Sequence, residues 1–152
     1  MSANPFVGTW RLLSFETRTS SGEVSDLLGK GEVGYLIYGQ DGHMAVSMMQ
    51  TNRANFASAD FLAASPEEKR TAFETYSSYC GTYEVTGEKV IHHIELSLFP
   101  NWSGRDQERF FEFSEDRLTL RTPPMSLGGA ERTMHAVWQR VRSAEESALR
   151  LK

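Results

Sequence analysis

The sequence predicts an all-β fold, a closed up-and-down antiparallel β-barrel of eight strands with a small helical insert. Three observations predict it. Apolar and polar residues alternate with period two in eight stretches separated by turn residues. The connections between these stretches alternate between tight and long. The two ends of the pattern carry a matched pair of motifs, Gly8-Thr9-Trp10 in the first stretch and Trp138-Gln139-Arg140 in the last. Eight strands closed on themselves leave no edge exposed. The 152 residues suit a single domain, 1–152, around one core.

The first strand is predicted over residues 6–18, with Trp10, Leu12 and Ser14 on one face and Leu13 and Phe15 on the other. Residues 19–30 contain Ser-Ser-Gly and Leu-Gly-Lys-Gly and read as a loop. Residues 34–38 form the second strand, and Gly39-Gln40-Asp41-Gly42 is a hairpin turn, because Asp-Gly tolerates the positive φ that tight turns need. The third strand covers 43–49, with Met44, Val46 and Met48 alternating. The period then changes. Ser65-Pro66-Glu67-Glu68 is a helix start, with a cap, Pro at the first position and Glu three residues after the cap. Phe73, Tyr76 and Tyr79 follow at helical spacing, and Phe56, Phe61 and Leu62 suggest a shorter helix before them. The helical insert is therefore placed at about 53–79. The β pattern resumes over 81–85 and 90–99, joined by a tight turn at 86–89. It continues over 107–113 and 118–122, joined at 114–117. After a loop bracketed by Pro123-Pro124 and Gly128-Gly129, the last strand covers 132–141. Residues 143–152 read as a short helix or a frayed tail.

In an up-and-down barrel alternate connections share an end. All tight turns then lie at one end with Trp10 and Arg140, and all long loops lie at the other. This is a cup with a closed floor, a mouth and a helical lid, and ligand contacts concentrate at such mouths. Two-residue turns pair Tyr83 with His92, Val85 with Val90, Phe111 with Leu120 and Phe113 with Leu118. Directly opposed residues share a face. The inner face so counted holds Tyr83, Val85, His92, Ile94, Leu96, Leu98, Arg109, Phe111, Phe113, Leu118 and Leu120. A three-residue turn at 40–42 adds Leu36, Tyr38, Met44, Val46 and Met48. A one-residue slip in strand 90–99 would turn His93, Glu95 and Ser97 inward instead.

Composition excludes several classes. The net charge is −4 with both signs mixed along the chain, so there is no electrostatic footprint for nucleic acid or an anionic membrane. No apolar run approaches the roughly 20 residues of a membrane-spanning helix. The N-terminus lacks the basic and apolar regions of a secretory signal, and the lone Cys80 forms no internal disulfide, so cytoplasmic residence is the default. Four histidines and no cysteine cluster give no metal site, since adjacent His92 and His93 face opposite sides of one strand. No phosphate loop, nucleophile elbow or dinucleotide fingerprint is present, and no cofactor is called for.

Several stretches together resemble a known family: Gly34-Tyr35-Leu36-Ile37-Tyr38, Asp41-Gly42-His43-Met44, Tyr79-Cys80-Gly81-Thr82-Tyr83, His92-His93-Ile94-Glu95 and Pro100-Asn101-Trp102-Ser103-Gly104. With Gly8-Thr9-Trp10 and Arg140, which resemble the Trp–Arg floor of calycin and lipocalin barrels, they resemble the bacterial and fungal lipocalin-like proteins over roughly residues 5–141. The resemblance implies a lipocalin-like barrel with an internal cavity. The missing signal peptide, missing disulfide and helical insert depart from secreted lipocalins.

Trp10 and Arg140 read as structural, an Arg stacked on a Trp face to close the floor. Arg109 is the sharpest site candidate, because it shares a face with Phe111 and Phe113 and a buried guanidinium is costly unless paired. Its fork suits a carboxylate, enolate or phenolate head group; the competing reading is an internal partner, Glu16 or Glu95, or exposure near the mouth. His92 reads as an acid or base near neutral pH or as a satisfied core hydrogen-bonder. The leading function is binding of a small, mostly apolar or amphipathic molecule with a polar or anionic head group. Tyr38, Tyr83, His92 and Arg109 would hold the head group, and Met44, Leu96, Phe111 and Leu120 would line the wall. The alternative is a cofactor-independent isomerase or cyclase for a polyketide-like or terpenoid substrate, with His92 as acid or base and Arg109 stabilising oxyanion charge. A third reading is a filled barrel that oligomerises and binds nothing; the sequence leaves homo-oligomerisation open.

Overall fold

The computed structural model describes residues 3–26 and 31–144. Among these the strands are β1 (Gly8–Thr19), β2 (Val24–Ser25), β3 (Glu32–Tyr38), β4 (His43–Gln50), β5 (Tyr76–Thr86), β6 (Lys89–Ser97), β7 (Asp106–Ser114), β8 (Arg117–Arg121), β9 (Met125–Leu127) and β10 (Ala130–Val141). One helix, α1 (Pro66–Glu74), precedes β5, and a single 3-10 turn, Pro100–Trp102, precedes β7. Every pairing is antiparallel. The eight longer strands run β1-β3-β4-β5-β6-β7-β8-β10, and β10 pairs back onto β1 from Thr9↔Val141 to Thr19↔Arg132, which closes the barrel. β2 and β9 are short additions to β1 and β10 in the long loops. Most of the stretch 143–152, expected as a helix or tail, and residues 27–30 of the first loop lie outside the described residues.

The hairpins set the register as their turn lengths require. Val85 pairs with Val90 and Tyr83 with His92, Phe113 with Leu118 and Phe111 with Leu120, and Tyr38 with Met44. Gly87 supplies the positive φ of the 87–88 turn, at 61°.

Two β-bulges overturn the simple alternation. In β1 the register shifts between Leu12 and Ser14. Trp10 and Leu12 point inward, Leu13 and Ser14 outward, and Phe15 and Thr17 inward again. Apolar Leu12 and Phe15 are three residues apart, so both enter the core only if one extra residue is inserted. In β6, Gly81 faces Ile94 whereas Cys80 faces Leu96, which leaves Glu95 as the extra residue. His92 and Ile94 are therefore buried as the first register predicts, while beyond the bulge Leu96 turns outward and is 68% exposed. The expectation that Leu96 lines the interior is corrected by this bulge. Leu98 and Val85, also counted as inner, are partly exposed near the strand ends.

The insert at the mouth is less helical than the sequence suggests. α1 has the expected start: Ser65 Oγ accepts from the Glu68 N–H at 3.1 Å and Glu68 Oε1 accepts from the Ser65 N–H at 2.9 Å, with Pro66 at the first position. It ends at Glu74, where the Thr75 hydroxyl donates back to the Thr71 carbonyl at 2.8 Å. Tyr76 and Tyr79 lie on β5, paired with β4 from Met49↔Tyr76 onward, because the ladder satisfies more backbone groups than another helical turn would. Phe56 lies in an irregular stretch and Phe61 and Leu62 in a turn, and Phe61 and Leu62 are exposed. α1 buries no residue.

The bulge on β6 depends on Gly81. A Cβ there would sit 2.0 Å from the His93 carbonyl oxygen. Gly81→Ala is expected to cost about 1–3 kcal/mol through forced backbone movement, read as a lowered midpoint in urea denaturation; an unchanged midpoint would show that the close approach is not a constraint.

Candidate functional site

The N-terminal segment seals the floor. Phe6 is buried between Tyr38, Phe111 and Phe113, at ring-centroid distances of 5.2, 4.9 and 4.9 Å, all edge-on. The Trp10 indole N–H donates to the Phe6 carbonyl at 2.9 Å. The Arg140 guanidinium lies 4.2 Å from the Trp10 ring centroid and donates to the carbonyls of Val7 at 3.0 Å and Pro5 at 2.6 Å.

Above this floor lies a layer of buried polar groups. His92 is fully enclosed, with the Tyr38 hydroxyl 2.7 Å from Nε2 and the Tyr79 hydroxyl 2.6 Å from Nδ1. Burial first, then the charges of Arg109 and His93, hold the imidazole well below its ordinary value. Burial likewise raises both phenols, that of Tyr38 well above the usual tyrosine range. All three groups are neutral at physiological pH. A neutral imidazole has one N–H and one bare nitrogen. One tyrosine therefore donates to the ring, while the other accepts from it and keeps its own O–H for another acceptor.

Arg109 adjoins this layer from β7. It is 8% exposed, and its Nη1 donates to the Glu108 carbonyl at 2.9 Å and to Gln107 Oε1 at 3.3 Å. Its charge also acts on the buried Tyr79 hydroxyl and offsets part of the upward shift that burial causes there. Among the described residues no carboxylate forms an ion pair with it. Of the two partners the sequence suggests, Glu16 is paired with Arg18, and Glu95 is exposed at the bulge.

Tyr79, His92 and Arg109 border a cavity on the mouth side of the barrel. Its volume is about 70 Å³. Its wall is mostly apolar, with Leu36, Val46, Met48, Leu120 and Met134, and Trp102 of the 3-10 turn borders it near the mouth. His92, Arg109 and Leu120 are the predicted residues that line it. Tyr38 supports His92 from behind. Met44 is packed in the core beside Tyr38, away from the cavity wall. Tyr83 and Phe111 border a separate cleft at the floor with Asn4, Pro5 and Phe6, where the Tyr83 hydroxyl donates to the Gly39 carbonyl at 2.9 Å. Tyr79 and Trp138 are wall residues that sequence reasoning misses, Tyr79 because its spacing also fits a helix and Trp138 because it falls within the floor motif. The alternation Met134, Ala136, Trp138 is the signal that could have found the latter.

Residues 7–141 match the model of the lipocalin-like domain. The chain belongs to the lipocalin-like domain family. A curated relative from Aspergillus oryzae, named 4'-hydroxy-3'-methoxypropiophenone carrier protein, is 29% identical over 107 residues, which span 64% of this chain and 96% of that protein. A solved structure of an uncharacterized protein from Bacteroides eggerthii covers 90% of this chain and 99% of its own at 14% identity and a TM-score of 0.44, a likeness too low to bear on chemistry. In this lipocalin-like barrel no described helix is long and apolar enough to cross a membrane, and no three described His, Cys, Asp or Glu side chains are grouped to hold a metal ion.

On the outer wall His93 bridges three strands, with Nδ1 2.6 Å from Asp106 Oδ1 and Nε2 3.0 Å from Glu84 Oε1. Its value is raised, chiefly by the hydrogen bond to Asp106. The two adjacent histidines therefore couple stability to pH with opposite signs. The folded barrel refuses a proton at His92 that the unfolded chain accepts, so stability is lost as pH falls below about 6.5. The folded barrel holds a proton at His93 more tightly, so that stabilisation is complete below about 6.5 and is lost as pH rises through the higher folded value. In thermal denaturation followed by circular dichroism, His92→Gln is expected to flatten the fall in Tm as pH drops below about 6.5, and His93→Gln to remove the gain in Tm as pH falls toward about 6.5 from above. Parallel Tm profiles for wild type and both variants would contradict the assignment.

Proposed function

We propose that this lipocalin-like protein binds and carries a small, mostly apolar molecule of about one aromatic ring, its anionic or hydrogen-bond-accepting head group held by Arg109 and Tyr79. The observation that carries this reading is the guanidinium of Arg109, buried at the cavity wall with no carboxylate paired to it among the described residues. A buried charge without a counter-charge is costly to fold around. A carboxylate or phenolate ligand would supply the missing charge in fork geometry. The family and the Aspergillus oryzae relative named as an aryl-ketone carrier support a small-molecule-binding role. Carriage is favoured over proton-transfer catalysis because both ring nitrogens of His92 are engaged by tyrosines, which leaves no free base at the cavity wall.

The reading is tested by calorimetric titration with 4'-hydroxy-3'-methoxypropiophenone and with 4-isopropylbenzoate, which joins an apolar body to a carboxylate. Arg109→Gln is expected to weaken 4-isopropylbenzoate by at least about tenfold, the size of one charge-assisted hydrogen bond. The same variant is expected to keep or raise the Tm of the ligand-free protein, because it removes an unpaired buried charge. Failure of the wild type to bind either probe, or equal affinity in the variant, would overturn the proposal.

A further inference from the structure

Three buried side-chain polar atoms lack a hydrogen-bond partner among the described residues: Glu32 Oε1, Ser97 Oγ and Trp138 Nε1. Of these residues Trp138 borders the cavity. Trp138 is 2% exposed, and its indole nitrogen is shielded from bulk solvent. Such groups are normally paired, and the other floor-side indole shows the usual solution: the Trp10 N–H has the Phe6 carbonyl at 2.9 Å. Trp138 lies on β10, opposite Leu118 on one side and Leu12 on the other, neighbours that offer no side-chain acceptor. The barrel order places β10 four strands from β5 in either direction, so Trp138 and Tyr79 stand on opposite walls.

We infer that Trp138 is a specificity-determining residue of the cavity, its indole N–H donating to a second acceptor at the far end of the ligand from the group held by Arg109 and Tyr79. The ligand class is then narrower than an amphipathic molecule. It is a compact apolar body with acceptors at both ends, the anionic one toward Arg109 and a neutral one, such as a carbonyl, toward Trp138. An indole N–H donates and never accepts, so a hydroxyl would be taken there only as an acceptor. An apolar group at that end leaves the donor unmet. The inference rests on the reading of Arg109 as the head-group anchor.

The test uses a pair of near-isosteric probes, 4-acetylbenzoate and 4-isopropylbenzoate, titrated into the wild type and into Trp138→Phe. The ratio of the two dissociation constants is expected to move by about fivefold against 4-acetylbenzoate in the variant, the fold-change of one net hydrogen bond. In wild-type protein labelled with nitrogen-15, the Trp138 indole N–H resonance is expected to move downfield with 4-acetylbenzoate and not with 4-isopropylbenzoate. Trp102→Phe assigns one of the three indole signals by its loss, and that of Trp10, already bonded to Phe6, is expected to stay still. The spectra decide alone if Trp138→Phe does not fold. A ratio unchanged by the substitution, or an indole shift equal for both probes, overturns the role of Trp138 and leaves the anchoring role of Arg109 standing. If neither benzoate binds the wild type, the anchor reading falls and this inference with it.

Discussion

Closure of β1 onto β10 is the constraint on which the rest of the structure depends. An open eight-stranded sheet would expose two long edges and both faces of its apolar stripe. Closure removes the edges and creates an inside. The pairing is secured at the floor by Arg140, which lies on the Trp10 ring and reaches the carbonyls of Pro5 and Val7. A cation–π contact of this kind contributes roughly 0.5–2 kcal/mol, and the hydrogen bonds fix the N-terminal segment so that Phe6 turns into the barrel. On the floor side of the Tyr38–His92 layer Phe6 packs edge-on against Phe111 and Phe113, and the cavity is bordered by His92 on its other side.

The cavity differs from a plain apolar core in how its polar groups are satisfied. His92 uses both nitrogens within the protein, and burial keeps it and its two tyrosines neutral. Arg109 and Trp138 are different: each brings donors to the wall that the described residues leave wholly or partly unanswered. A filled barrel that binds nothing would gain by replacing such groups with apolar ones. Their presence in a mostly apolar wall is what separates a binding reading from the filled-barrel one.

The legible part of the sequence is the part governed by local rules. Turn lengths at 39–42, 87–88 and 115–116 place Tyr83 opposite His92 and Phe111 opposite Leu120, and the barrel pairs them so. Periodicity and the Trp–Arg ends are enough for barrel closure, and counting outward from the hairpin turns is enough to turn His92, Arg109 and Leu120 inward. The capping box at Ser65 marks the start of α1 correctly. The end of α1 is not legible in the same way, because Tyr76 and Tyr79 suit a helix and a strand equally in spacing, and only pairing with β4 decides between them.

What the sequence by itself determined is therefore the architecture, the hairpin registers and the inward count of His92, Arg109 and Leu120, since these follow from alternation and turn chemistry over a few neighbouring residues. What only the tertiary structure decided is where alternation breaks. The bulge at Leu13 brings Phe15 inside, and the bulge at Glu95 sends Leu96 out and depends on Gly81 across the ladder. Whether a strand takes an extra residue is settled by the competing burial of side chains far apart in the chain. Phe6 as the plug, and Tyr79 facing Trp138 across the cavity, follow from the same long-range packing, which no window of sequence contains.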